Sequence, residues 1–278
     1  MSLQGNFYES QQCLFCFLTD ILDNTLSASI WFTLLSVISS ATTLKITQPV
    51  VFLPGTLCDE RIFMPCWHYL DIPYQAYVPL QWADDLEQML ALGADRLDYF
   101  DQAVHLVGFS MGGYLAALIA LQTPTKVASL TLIGNTCQAL PEAELIQRKN
   151  LVAAIKQAKF TGMSDTQIAN MLHPANRHNK AIIKIIREME QDLGTATLNS
   201  QIKATSERKN LIPQLAKASF KCHFIAGEQD YLAPEAQLNL AQQQIPGSSL
   251  NIIAEAGHLL PLEQAKALAD LLASALNT

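Results

Sequence analysis

The chain has 278 residues, half of them hydrophobic and 15% charged, so it can bury a large core and does not have the composition of a disordered protein. Its formal net charge of -7 argues against nucleic-acid binding, which needs clustered lysine and arginine. The six cysteines are too scattered for a disulfide scaffold, and no second Cys or His pair accompanies Cys13 and Cys16 at the spacing of a zinc site. These properties predict a globular protein with reduced thiols, no bound metal and no nucleic-acid partner.

The first 48 residues differ from the rest of the chain. They contain no proline and no Lys or Arg before Lys45, and residues 24–44 carry no charge. Nearly half of that window is Ser, Thr or Asn, which makes it a poor membrane span, and no positively charged segment precedes it as in a secretory signal. We therefore predict a helical N-terminal extension and a cytoplasmic protein, with membrane association through residues 24–44 as the alternative.

From Pro49 onward, short β-branched runs alternate with amphipathic segments of helix length. Strands are predicted at residues 50–53, 74–78, 104–107, 130–133, 222–226 and 250–253, and helices at residues 83–100, 111–122, 234–244 and 261–276. This alternation is typical of an α/β fold with a mostly parallel central sheet flanked by helices. Between residues 141 and 210 helical periodicity replaces the strands, with a capping box that begins at Ser164. We predict a helical cap over 141–210, inserted into a core of residues 49–140 and 211–278.

The segment Gly108-Phe109-Ser110-Met111-Gly112 comes directly after a predicted strand and opens a predicted helix. At such a sharp bend a serine takes a strained backbone conformation that exposes its Oγ, and only small neighbours allow the close packing that results. The helix presents free N–H groups and the positive end of its dipole to Ser110, which would stabilise negative charge there. This placement predicts a nucleophilic serine.

A serine nucleophile needs a histidine base that is itself oriented by a carboxylate. Asp230 follows the predicted strand at 222–226, and His258 follows the one at 250–253. Because the carboxyl ends of parallel strands meet at one edge of a sheet, we expect Ser110, Asp230 and His258 to come together. Each of the two partners also has a purely structural alternative, a helix cap for Asp230 and a turn for His258.

Three motifs, Gly108–Gly113, Gly227–Asp230 and Gly257–His258, occur in the order Ser, Asp, His. In this combination the chain resembles the α/β-hydrolase superfamily over residues 49–276. The resemblance implies that Ser110 is the nucleophile, that His258 is the general base and then acid, and that Asp230 orients the imidazole.

The same resemblance implies an oxyanion hole made of two backbone N–H groups. One belongs to Met111, the residue after the nucleophile, and the other to Thr56 in the loop after the first core strand, with Leu57 as its substitute. Many relatives carry His where this chain has Pro54, a difference that removes a side-chain hydrogen bond from the loop but leaves both backbone donors.

The resemblance implies a serine-dependent hydrolase of a carboxylic ester or thioester that forms an acyl-enzyme on Ser110 and uses no cofactor. A lyase or a cofactor-free haloperoxidase of the same superfamily is an alternative, and a non-catalytic binding module is another. Menaquinone-pathway lyases often carry Arg directly after the double glycine, where this chain has Tyr114.

The predicted cap is basic and the rest of the chain is acidic. Residues 141–210 hold 11 of the 18 Lys and Arg residues but 7 of the 25 Asp and Glu residues, a balance of +4 against -11 elsewhere. Four of these basic residues lie at helical spacing, namely Arg177, Lys180, Lys184 and Arg187. We call these four the basic stripe, which is either a solvated helix face or a docking surface for an acidic partner.

An acidic partner of this kind would be an acyl carrier protein or a coenzyme A thioester, so the substrate is expected to be a small ester or thioester, free or carrier-linked. Some small bacterial esterases that remove a methyl group from a carrier-bound acyl chain have the same general plan. An apolar acyl pocket is predicted at Leu57, Ile182, Ile183 and Met189.

Overall fold

A computed structural model of the protein describes residues 44–277. Residues 1–43 of the predicted N-terminal extension, including Cys13 and Cys16, therefore lie outside the described residues. The strands are β1 (Leu44–Lys45), β2 (Val50–Leu53), β3 (Leu70–Asp71), β4 (Gln75–Tyr77), β5 (Val104–Phe109), β6 (Val127–Ile133), β7 (Lys221–Gly227) and β8 (Ser249–Ile253). Residues 44 and 45 are thus a strand rather than part of a helix, because they pair in parallel with β3.

Among residues 44–277, the helices of four or more residues are α1 (Met64–Trp67), α2 (Leu86–Asp98), α3 (Met111–Gln122), α4 (Glu142–Lys156), α5 (Asp165–Met171), α6 (Lys180–Ala204), α7 (Ile212–Leu215), α8 (Glu235–Gln244), α9 (Leu260–Glu263) and α10 (Ala265–Leu276). Within residues 44–277, no helix combines the length and the apolar character needed to cross a bilayer.

Six strands form one parallel sheet in the order β4-β2-β5-β6-β7-β8. Every residue of β2 and β5 is buried, as expected for central strands that are covered on both faces. Helices α2, α3 and α8 pack on one face, and α1 and α10 pack on the other. The fold predicted from the sequence, a mostly parallel sheet flanked by helices, is confirmed.

The strand register brings the chemically important loops to one edge of the sheet. Leu53 pairs with Gly108, Phe109 with Ile133, and Gly227 with Ile253. Each of these pairs lies at or next to the carboxyl ends of its strands, so the loops that follow leave the sheet side by side.

The chain between β6 and β7 consists of α4 to α7 and, within these residues, contains no strand. The capping box at the start of α5 is present, with Ser164 Oγ accepting from the Gln167 N–H at 3.2 Å and Gln167 Oε1 accepting from the Ser164 N–H at 2.8 Å. Helix α6 is kinked at Gly194, whose φ of 71° and ψ of 174° are not helical. The kink lets one long helix contact both the α5 region and the loop after β2.

The prediction of one helix over residues 261–276 is wrong. Gln264 separates α9 from α10 with φ of -134° and ψ of 51°. The preceding Glu263 turns its carboxylate toward the loop before His258, where it accepts from the Gly257 N–H at 2.9 Å and from the His173 N–H at 2.7 Å. These bonds tie the His258 loop to the inserted segment and account for the interruption.

Candidate active site

Ser110 lies at the junction of β5 and α3 in a strained backbone conformation, with φ of 51° and ψ of -117°. Its own N–H donates to the Ile133 carbonyl at 2.8 Å, which holds the bend against the neighbouring strand. A Cβ on Gly108 would collide with the backbone of Gly112, and a Cβ on Gly112 would collide with the backbone of Leu53. The two glycines are therefore required by the bend itself.

The side chains of Ser110, His258 and Asp230 form one continuous chain of hydrogen bonds. Ser110 Oγ lies 3.0 Å from His258 Nε2, and His258 Nδ1 lies 2.9 Å from Asp230 Oδ2 and 3.0 Å from Oδ1. His258 and Asp230 are both buried, whereas Ser110 is partly exposed to the cavity. The geometry fits a serine whose proton can pass to an imidazole.

Asp230 is held as a carboxylate although it is buried. Burial alone would raise the pKa of its carboxyl, but the facing His258 and the N–H groups of Ala233 and Leu232 outweigh this effect and lower it. Both N–H groups donate to Asp230 Oδ1 at 2.9 Å. Because an ionised carboxylate can only accept, the bond between Asp230 and His258 Nδ1 requires that Nδ1 donates, and in a neutral imidazole this makes Nε2 the acceptor that faces Ser110.

The two predicted oxyanion donors, the N–H groups of Thr56 and Met111, have no acceptor among residues 44–277. Met111 is the first residue of α3, where N–H groups have no partner within the helix. The Leu57 N–H is occupied, because it donates to Gln201 Oε1 at 2.9 Å. The geometry therefore favours Thr56 over Leu57 as the second donor.

Two further residues that sequence reasoning missed support this region. Asn135, the second residue after β6, donates from Nδ2 to the Ser110 carbonyl at 2.8 Å and accepts at Oδ1 from the Cys137 N–H at 2.7 Å. Gln201, on α6, is fully buried against the loop that contains Leu57. Asn135 had a weak signal, a polar residue just after a buried strand, whereas Gln201 is 144 residues from its partner in sequence.

A cavity of about 510 Å³ opens above Ser110. Its apolar lining includes Leu57, Met163, Met171, Ile186, Met189 and Ile202. The charged residues that the described part of the chain contributes to it are Glu144, Arg148 and Arg208. Of the residues predicted for an acyl pocket, Leu57 and Met189 line the cavity, whereas Ile182 and Ile183 do not. Ile182 packs instead into the apolar cluster beside α5, because the face of α6 that meets the cavity starts one turn later, at Ile186.

The basic stripe does not reach the cavity, since none of its four residues is part of the lining. Arg187 is paired with Asp165 at 2.6 Å and with Glu190 at 2.8 Å, and Lys184 lies 3.7 Å from Glu188. Two of the four charges are thus matched by acidic neighbours on the protein. The stripe therefore contributes nothing to the cavity lining, and its two interpretations, a solvated helix face and a docking surface for an acidic partner, both stay predictions.

Two other histidines contact serines but lack the third member of a triad. His105 Nδ1 lies 2.7 Å from Ser129 Oγ, and His223 Nδ1 lies 2.8 Å from Ser249 Oγ, in both cases between directly paired strand residues. Burial lowers the pKa of His105 to about 4 and also lowers that of His223. Among residues 44–277, no three His, Cys, Asp or Glu side chains group as a metal site.

A family model described as the alpha/beta hydrolase fold matches residues 83–265, and the chain belongs to this family. Similar proteins include the mouse monoacylglycerol lipase ABHD6, which is 26% identical over a match that covers 63% of this chain and 56% of the lipase. The match therefore spans little more than half the length of that relative. The pimeloyl-acyl-carrier-protein methyl ester esterase of Nitrosomonas europaea is 23% identical over a match that covers 69% of this chain and 77% of the esterase. A thermophilic esterase from Thermogutta terrifontis shares the fold, with a TM-score of 0.72, 20% identity, and coverage of 84% of this chain and 90% of the other.

Replacing Gln201 with methionine is expected to lower kcat about 5- to 50-fold for neutral esters and to change KM less than 3-fold. The substitution leaves the Leu57 N–H buried without an acceptor, a loss on the order of 1–3 kcal/mol that loosens the loop carrying Thr56. Steady-state kinetics with p-nitrophenyl esters would measure both constants.

Asn199→Ala is the matched control for Gln201. It lies on the same helix, and its Oδ1 has no hydrogen-bond partner in the described part of the chain. Equal losses in both variants, or a change confined to KM, would show that Gln201 does not position the loop.

Proposed function

We propose that the protein is a serine hydrolase that cleaves a carboxylic ester or thioester through an acyl-enzyme on Ser110. The observation that carries this proposal is the unbroken hydrogen-bonded chain from Ser110 Oγ through His258 to the Asp230 carboxylate, with its serine end facing a cavity. The esterase and lipase named among the relatives support the same reaction class.

In the proposed reaction, His258 Nε2 takes the proton of Ser110 as Oγ attacks the carbonyl carbon of the ester. The N–H groups of Met111 and Thr56 stabilise the oxyanion of the tetrahedral intermediate. His258 then gives its proton to the leaving alcohol or thiol, and the acyl group stays on Ser110. A water molecule activated by the same imidazole releases the acid and restores the serine.

The substrate-binding part of this proposal assigns residues 141–210 as a cap over the core. Met163, Met171, Ile186 and Met189 from this segment supply an apolar wall to the cavity, which suits an acyl chain or an alkyl alcohol. A carrier-linked substrate, as in the name of the Nitrosomonas europaea esterase, is a narrower form of the proposal. No cofactor is required for these steps.

The alternatives predict different reactions from the same cavity. A lyase would not pass through an acyl group on Ser110, and a binding module would leave the triad without a reaction. The Asp230 carboxylate, held ionised by His258 and by two N–H groups, favours a working triad over a binding module.

The proposal predicts that a panel of p-nitrophenyl esters and acyl thioesters gives an intact-protein mass shift equal to one acyl group, located at Ser110 by peptide mapping. Hydrolysis in H₂¹⁸O should place one heavy oxygen in the released acid. Turnover with neither a Ser110 adduct nor incorporated ¹⁸O would contradict acyl-enzyme hydrolysis and point to the lyase alternative.

A further inference from the structure

One cationic side chain in the cavity forms no ion pair with a carboxylate of residues 44–277. Arg208 follows α6 and lines the same cavity as Ser110. Its Nε–H donates to the Thr205 carbonyl at 3.1 Å, and its guanidinium carbon lies 5.0 Å from the centre of the Tyr114 ring. Among the described residues, no carboxylate forms an ion pair with it. The planar end of the guanidinium therefore keeps donors free for a ligand.

The neighbouring arginine, Arg148, is matched by a carboxylate. Arg148 Nε and Nη2 each lie 2.9 Å from Glu144 Oε1, and Arg148 Nη1 donates to Thr205 Oγ1 at 3.3 Å. Burial and the charge of Arg148 lower the pKa of Arg208 to about 10, because they outweigh the charge of Glu144, which raises it. Arg208 therefore stays protonated at neutral pH. Glu144 is the one carboxylate that residues 44–277 contribute to the cavity lining, so the lining carries an excess positive charge on Arg208.

Tyr114 fixes Arg208 relative to the nucleophile. It lies one helical turn after Ser110 on α3, a rise of about 5.4 Å, and its N–H points to the Ser110 carbonyl at 3.4 Å. Its hydroxyl accepts from the Lys209 N–H at 2.8 Å, and its ring lies against Arg208. A guanidinium held by its face on an aromatic ring keeps its edge, which carries the N–H groups, available for an anion.

We propose that Arg208 binds a carboxylate carried by the substrate. The preferred substrates are then esters that carry this carboxylate at the end of the molecule away from the ester bond. This inference rests on the proposed function for the position of the ester bond, but the anion site itself does not depend on turnover. A guanidinium pairs with a carboxylate through two parallel hydrogen bonds, and the apolar walls of the cavity reduce competition from water. The remaining length of the cavity would hold the chain between the two ends.

The test compares monomethyl and dimethyl esters of linear dicarboxylic acids from four to eight carbons, which differ in one charge. The wild-type protein should prefer the monomethyl ester in kcat/KM at one or more of these lengths. Arg208→Met should lower kcat/KM for that monoester about 10- to 100-fold, mainly through KM, and change the diester less than 3-fold. Arg208→Lys keeps the charge but not the planar guanidinium. Its kcat/KM for the monoester should therefore lie between the values of the wild-type protein and Arg208→Met.

Arg177→Met is the matched control, since it removes an exposed cap charge that does not line the cavity. It should leave the ratio of monoester to diester unchanged. An equal loss for both ester types in Arg208→Met, or the same shift in Arg177→Met, would overturn the proposal. The third compound tested is an ester with a phosphate in place of the carboxylate. If it bound more tightly than the monomethyl ester, the assignment of a carboxylate would be overturned.

Binding to the Ser110→Ala variant separates this inference from the proposed hydrolysis. Calorimetric titration should show the monoester binding at least 10-fold more tightly to Ser110→Ala than to the double variant with Arg208→Met. That difference would support the anion site even if the wild-type protein hydrolysed no ester. Equal affinities would reject the anion site and leave the hydrolase proposal standing.

Discussion

Replacing Ser110 with alanine is expected to lower kcat for p-nitrophenyl esters by a factor of roughly 10⁶. The variant removes the one oxygen that His258 Nε2 contacts at 3.0 Å, so no covalent intermediate can form. Alanine lacks only the hydroxyl, and the strained backbone at this position is already held by the Ile133 and Asn135 contacts. KM should therefore change much less than kcat.

Ser249→Ala is the control for this prediction. Ser249 also contacts a histidine, at 2.8 Å from His223 Nδ1, but has no carboxylate behind that histidine. Its removal should leave kcat within a few-fold of the wild-type value. Stopped-flow release of p-nitrophenol would reveal the initial burst in the wild-type protein and in Ser249→Ala, and none in Ser110→Ala. A folded Ser110→Ala protein with more than a tenth of the wild-type activity would refute Ser110 as the nucleophile.

The sheet and the bend at Ser110 could be predicted because their signals are local. Each buried strand is a run of apolar residues, and the bend at Ser110 needs two glycines that are visible in the sequence. Asp230 and His258 were found because the fold puts residues that follow parallel strands at one edge, so their order along the chain was sufficient.

The residues that shape the cavity depend on contacts that no local pattern reveals. Gln201 meets Leu57 because α6 passes over the loop after β2, and Arg208 meets Tyr114 because the chain returns to α3 after that helix. Three residues of the basic stripe, Lys180, Lys184 and Arg187, do lie on α6. Periodicity could not show that an acidic residue, Asp165, already pairs with Arg187. Sequence periodicity shows which residues share one face of a helix, but it does not show which residues that face contacts.

Replacing Asp230 with asparagine is expected to lower kcat by about 10⁴ with little change in KM or in folding. The amide oxygen can keep the position of Oδ1, where it accepts from the Leu232 and Ala233 N–H groups, so the loop should hold its shape. The amide nitrogen then faces His258 Nδ1 and donates to it. The imidazole proton is forced onto Nε2, which can no longer accept the proton of Ser110.

The comparison that isolates this effect is Glu228→Gln, which removes an exposed carboxylate from the same loop and should leave kcat unchanged within a few-fold. Asp230→Ala should lose at least as much activity and also some stability, because the two backbone N–H groups lose their acceptor. Measured kcat values and thermal unfolding curves would separate the two consequences. A stable Asp230→Asn protein with activity close to that of Glu228→Gln would mean that the buried carboxylate caps its loop without orienting His258, the structural alternative for this residue.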